Sequence, residues 1–159
     1  MSLLDEDLVD KVFLKGTYCV NQYHKLKLVE DWDSTDKGVG VAIIDKDLKV
    51  LITIKYDESN YMQALNLGKK KIPTYNQLAI VLSYWNEINE CLNKMMLPRL
   101  PGNTDFWTCS KYDERYSGIY NERMYTIKKH VWDGYTNIYT GLKWQYETAA
   151  CIYLEELKL

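Results

Sequence analysis

At 159 residues the chain has the common length of one domain, enough to bury roughly 70% of its unfolded surface in a single core. Hydrophobic residues make up 47% and charged residues 26%, with Gly 8 and Pro 3, which excludes disordered, collagen-like and fibrous classes. The 20 basic and 22 acidic side chains leave a net charge of -2, so no overall field draws the chain to a nucleic-acid backbone or an anionic membrane surface.

In chain order, the first readable segments are short apolar groups, Val12-Phe13-Leu14, Tyr18-Cys19-Val20 and Leu26-Lys27-Leu28-Val29, which predict short strands with Gly16 as a turn. A polar break at Asp31–Gly38 follows. Val39–Ile44 and Leu48–Ile54 are then joined by Asp45-Lys46-Asp47, a pattern that predicts a β-hairpin whose first strand, apolar nearly throughout, lies centrally in a sheet. Ile72-Pro73-Thr74-Tyr75-Asn76-Gln77 carries a capping box, with Thr74 as the cap and Gln77 reaching back to it. Leu78, Val81, Leu82, Trp85, Ile88 and Leu92 recur at helical spacing, so one amphipathic helix is expected over about 74-95, packed on the sheet and ended before Pro98 and Pro101. Four further β-rich runs follow, Phe106–Cys109, Met124–Ile127, Tyr135–Tyr139 and Ala149–Leu154, separated by Ser117-Gly118, Asp133-Gly134 and Thr140-Gly141 as turns. The fold class these elements predict is α+β, a mostly antiparallel sheet with at least one helix on it, in one domain over 1-159.

Four cysteines, Cys19, Cys91, Cys109 and Cys151, stand too far apart for a zinc or redox C-x-x-C pair. They read as free buried thiols, or else as one or two long-range disulfides. The amino terminus opens acidic, where a secretory signal would open basic, and no stretch approaches the roughly 18 consecutive apolar residues of a membrane span. A soluble chain without a signal peptide or membrane insertion is expected.

Asp31-Trp32-Asp33-Ser34-Thr35 before Gly38-Val39-Gly40-Val41, the Ile72-Pro73-Thr74 helix entry with Ile88-Asn89 after it, Phe106-Trp107-Thr108-Cys109-Ser110, and the closing apolar strand together span most of residues 14 to 154. In their order and spacing they resemble the C-type-lectin-like domain family of gut-bacterial surface proteins and phage receptor-binding or fibre proteins. The resemblance implies a C-type-lectin-like fold and a ligand-facing surface built from the carboxy-terminal loops and strands. Cys109 stands where that family usually has serine, and the closing strand lacks the arginine common there. The Glu-Pro-Asn or Gln-Pro-Asp triplet of calcium-dependent sugar-binding lectins is absent, as is their Trp-Asn-Asp, so no calcium site of that kind is expected. Cys109 and Cys151 lack the local context of the reactive cysteine pair in the related formylglycine-generating enzymes.

No constellation carries covalent chemistry. His24 and His130 lie in no two-ligand metal spacing, and the chain has no G-x-S-x-G, no phosphate-cradling glycine loop and no H-E-x-x-H. Lys69-Lys70-Lys71 reads as a solvated loop or an anion contact, and the paired carboxylates sit in charged termini. The composition is more informative: Tyr 14 and Trp 5 against Phe 2, rings that carry a polar tip and favour half-wet places. Between Trp107 and Tyr146 these rings alternate with Asn, Ser, Thr, Gly, Arg and Lys, the mixture of an antibody paratope. Tyr and Trp also favour strands, so part of the set belongs to the core. Tyr112, Tyr116, Tyr120, Trp132, Tyr135 and Tyr139 flank turn residues and are the expected ligand-binding side chains. The aromatic surface reads as that of a non-enzymatic binding module without cofactor or metal, and the resemblance implies that it serves a phage particle (virion) or bacterial surface assembly. Its expected partners are other protein subunits or a cell-surface receptor or glycan, not nucleic acid, and homo-oligomers are compatible with it. The alternative is a purely structural virion component, a fibre, collar or decoration protein whose aromatic face packs on neighbouring subunits.

Overall fold

The structure, a computed structural model, describes residues 14–66, 70–112, 123–132 and 135–157, with the side chains of residues 132 and 135–137 excepted. Its frame is an eight-stranded sheet: β1 (Gly16–Asn21), β2 (Leu26–Lys27), β3 (Gly38–Ile44), β4 (Lys49–Ser59), β5 (Asp105–Lys111), β6 (Arg123–Trp132), β7 (Tyr135–Trp144) and β8 (Ala149–Glu156), in the order β2-β1-β3-β4-β8-β5-β6-β7. Every pairing is antiparallel except that of β5 with β8. Three helices complete the described residues: α1 (Tyr61–Leu65), α2 (Tyr75–Ser83) and α3 (Trp85–Lys94). The class is α+β and mostly antiparallel, as the periodicities predict.

The β3–β4 hairpin forms about the Asp45–Leu48 turn, with Val41 opposite Ile52, and β3 lies inside the sheet as its apolar run demands. Leu26–Val29 pairs only at Leu26–Lys27, because Val29–Asp31 winds into a 3-10 turn. Val12, Phe13 and the Ser117-Gly118 and Asp133-Gly134 turns lie outside the described residues. Thr140-Gly141 is no turn: both residues sit inside β7. A Cβ on Gly141 would stand 2.7 Å from the Thr126 Oγ1 across the ladder, so this glycine marks a close approach between strands.

The helix expected over 74-95 begins as read, with Thr74 and Gln77 closing the capping box, but it breaks at Tyr84 into α2 and α3. Two tethers hold the break. The Tyr84 hydroxyl donates to Asp45 Oδ2 at 2.5 Å, burial and then this bond pushing the phenol up to about 12, and the Lys129 ammonium reaches the Leu82 carbonyl at 3.4 Å in the last turn of α2. The apolar stripe continues across the break, so Leu78, Val81, Leu82, Trp85, Ile88 and Leu92 all join the main core with Ile43, Ile52, Phe106, Ile127 and Ile152. α2 lies over β5 and β6, and α3 over β1 and β3. On the opposite sheet face, α1 covers a second core made of Tyr61, Ala64, Ile72, Trp107, Met124, Ala149, Cys151 and Tyr153. All four cysteines are free; Cys19, Cys91 and Cys151 are buried, while Cys109 is exposed, a departure from the reading of buried thiols.

α3 ends in a Schellman motif, with Leu97 N donating to Leu92 O at 2.9 Å and Met96 N to Asn93 O at 3.1 Å. The left-handed position holds Met96, at φ 60 and with its side chain exposed, where glycine would avoid the Cβ strain. Met96→Gly is expected to raise stability by about 1 kcal/mol, read as a higher thermal midpoint.

Asp36, whose side chain is only 5% exposed, accepts from Lys27 Nζ at 2.7 Å, Asn21 Nδ2 at 2.8 Å and the Asp33 amide at 3.1 Å. It locks the polar break that follows Trp32 onto β1 and β2. The lysine and the amide hydrogen bonds together hold its carboxyl down to about 2. A depressed carboxylate binds its proton more weakly in the native state than in the unfolded chain. Its stabilisation is therefore full above pH about 4 and lost as pH falls toward about 2. The Asp36→Asn variant is expected to lose this part of the acid dependence, measured by urea unfolding across that range.

Candidate functional site: an aromatic ribbon and a polar groove

Strand alternation sorts the β6–β7 ladder into two faces. Ile127 and Lys129 point to the helices, as do Arg123 and Tyr125, while Thr126, Lys128 and His130 point away. The helix-facing side is positioned by the entry to α2. There Cys109 N donates to Pro73 O at 2.8 Å and Tyr75 N to Ser110 Oγ at 2.9 Å, which docks the first turn of α2 on β5. The Tyr75 hydroxyl then shares a 2.5 Å hydrogen bond with Thr140 Oγ1 of β7.

From Tyr75 a run of rings extends to the end of the ladder. Tyr75 lies edge-on to Tyr125 at 5.9 Å, and Tyr125 edge-on to Tyr112 at 5.6 Å. The Arg123 guanidinium sits 5.1 Å from the Tyr112 ring centre and 5.0 Å from that of Trp144, its register partner, and Trp144 stacks on Tyr146 with planes 9° apart. Tyr146 is 74% exposed and Tyr112 half-buried. A cation held between two π faces fixes both rings with little rotamer freedom left to lose, so a partner meets flat, preset surfaces.

The opposite face carries a groove of about 430 Å³ over β5, β6 and β7, floored by Gly141 and lined by polar side chains. Asp105 accepts from Thr126 Oγ1 at 3.2 Å and faces Lys143 Nζ at 3.8 Å, while Lys143 donates to the Thr148 carbonyl at 2.7 Å. Tyr139, 49% exposed, stands edge-on to His130 at 5.5 Å. Lys128 lines the same groove and has no ion pair among the described residues. Among the described residues no group of three or more His, Cys, Asp or Glu side chains is placed to hold a metal ion, and no helix is long and apolar enough to cross a membrane.

The six expected ligand-binding residues do not form one patch. Tyr112 belongs to the aromatic ribbon and Tyr139 to the groove on the other face. Trp132 and Tyr135 are register partners at the far end of the β6–β7 hairpin, some 30 Å along β6 from Arg123 at roughly 3.3 Å per residue. Tyr116 and Tyr120 lie outside the described residues. Trp144, Tyr146 and Tyr125 belong to the aromatic set the composition singles out, but Tyr75 and Arg123 do not. Tyr75 joins the ribbon through the docking of α2 on β5 and Arg123 through its pairing with Trp144, and no local signal announces either contact. No family model, no curated protein and no solved structure matches the chain.

Proposed function

We propose that the chain is a non-enzymatic binding module, of the C-type-lectin-like class, that serves a phage particle or bacterial surface assembly by holding a protein or glycan on its aromatic ribbon. One observation carries this reading: Arg123 clamped between Tyr112 and Trp144, with the exposed Tyr146 stacked beyond. Such rings supply contact area of the kind that dominates interface energetics, where truncation of an anchor costs 2 kcal/mol or more, roughly thirtyfold in affinity. Trp107, by contrast, is fully buried and belongs to the fold.

The test is a glycan array and a panel of candidate surface proteins probed with the wild type and with Tyr146→Ala. Loss of about thirtyfold in affinity on any ligand, with an unchanged thermal midpoint, is the expected result. Silence on both panels, with self-association in light scattering that Tyr146→Ala abolishes, would show instead that the ribbon packs neighbouring subunits as a virion component.

A further inference from the structure

The last strand of the sheet is unlike its first. β2 offers an edge of two residues, whereas β7 runs from Tyr135 to Trp144 with unbroken register to β6 and no strand described beyond it. Edge strands are commonly blunted by shortness, bulges, proline or charged side chains, and among its ten residues β7 has none of the first three and a single charge, Lys143, near its end. Its two faces differ in chemistry. On the helix-facing side Ile138 and Leu142 of β7 and Val131 of β6 are left 37–39% exposed. On the other side lies the groove with Lys128, Lys143 and Tyr139.

We propose that the outer edge of β7 takes up an extended segment of a partner protein as a ninth strand, one in which apolar and acidic residues alternate. Main-chain hydrogen bonds to the edge supply affinity, and alternate side chains supply specificity. A strand added beside β7 directs every second side chain onto Ile138 and Leu142 and the others over the groove. There Lys143 lies on the adjacent strand and Lys128 two strand spacings away, about 10 Å, within the combined reach of a lysine and a glutamate. The groove has one carboxylate, Asp105, already engaged by Thr126 and Lys143, so an acidic segment meets a locally positive strip on a chain whose net charge is -2. The site adjoins the aromatic ribbon, whose Trp144 ends β7 and whose Tyr125 pairs with Leu142, and it extends past the ribbon to Ile138 and the groove, away from Tyr146.

The experiment uses the full chain and a capped peptide of about eight residues alternating valine and glutamate, within the usual range of strand lengths. Two counterparts accompany it, one with lysine for glutamate and one N-methylated at alternate amides. Binding is read by fluorescence anisotropy and by amide exchange. The valine–glutamate peptide is expected to bind and to slow exchange of the amides between Ile138 and Leu142. The lysine peptide is expected to bind at least about tenfold more weakly, and the N-methylated one not at all. Lys128→Glu, on a half-exposed side chain, should narrow the charge preference with an unchanged circular dichroism spectrum, and Tyr146→Ala should leave peptide binding as it is. Equal affinity for the glutamate and lysine peptides, or indifference to N-methylation, overturns the proposal. So does a symmetric dimer that already protects the β7 amides, because the edge then belongs to a second copy. Loss of peptide binding in Tyr146→Ala would place the peptide on the ribbon and overturn it as well.

Discussion

Replacement of Trp107 by alanine is expected to lower folding stability by about 3–5 kcal/mol, the largest effect of any single substitution considered. Trp107 has no exposed surface, its ring meets Tyr61 edge-on at 5.5 Å, and its indole N–H donates to the Ser59 carbonyl at 2.8 Å. Truncation removes the ring, opens a cavity in the core beneath α1 and leaves that carbonyl without its donor. For a domain of this size the thermal midpoint should fall by roughly 10 °C. Trp107→Phe separates the parts: it keeps most of the volume and loses the hydrogen bond, so about 1–2 kcal/mol is expected. Equal midpoints for the alanine variant and the wild type would show that α1 does not depend on this ring.

Gly40→Ala is the second. A Cβ built there stands 2.6 Å from the Ile52 carbonyl oxygen and 2.8 Å from Leu51 Cδ1, so the β3–β4 ladder has to part to admit one methyl group. The first of these neighbours is backbone and cannot swing aside. A cost of about 1–3 kcal/mol is expected, measured by denaturant unfolding with an unchanged m-value. An alanine variant as stable as the wild type would mean that β3 and β4 are less closely apposed than the structure has them.

Much of this fold was legible before any coordinates. The Thr74/Gln77 capping box, the apolar spacing from Leu78 to Leu92 and the hairpin around Asp45–Asp47 are local signals that survive into the structure, whereas the equally local Thr140-Gly141 turn signal is overridden inside β7. What was not legible is non-local. Tyr84 reads as one more helical residue until its hydroxyl finds Asp45, thirty-nine positions away, and Lys129 comes from another strand to meet the end of α2. α1 was readable in principle, since Asn60 and Gln63 form a capping box of their own, but five residues leave too short an apolar period to notice. The candidate site follows the same rule. Composition pointed to the aromatic carboxy-terminal third, and alternation along β6 and β7 then split those rings between two faces. Non-local pairings, α2 docked on β5 and Arg123 paired with Trp144, decide which of them meet.

β8 follows the other seven described strands in the chain yet lies between β4 and β5, and among the described strands it alone joins the β1–β4 half of the sheet to the β5–β7 half. On a ribosome, then, both halves wait with sticky flanks until β8 emerges and slots between them. Closure of the sheet waits for residues Ala149–Glu156, and a chaperone that shields those flanks is needed until they have been made.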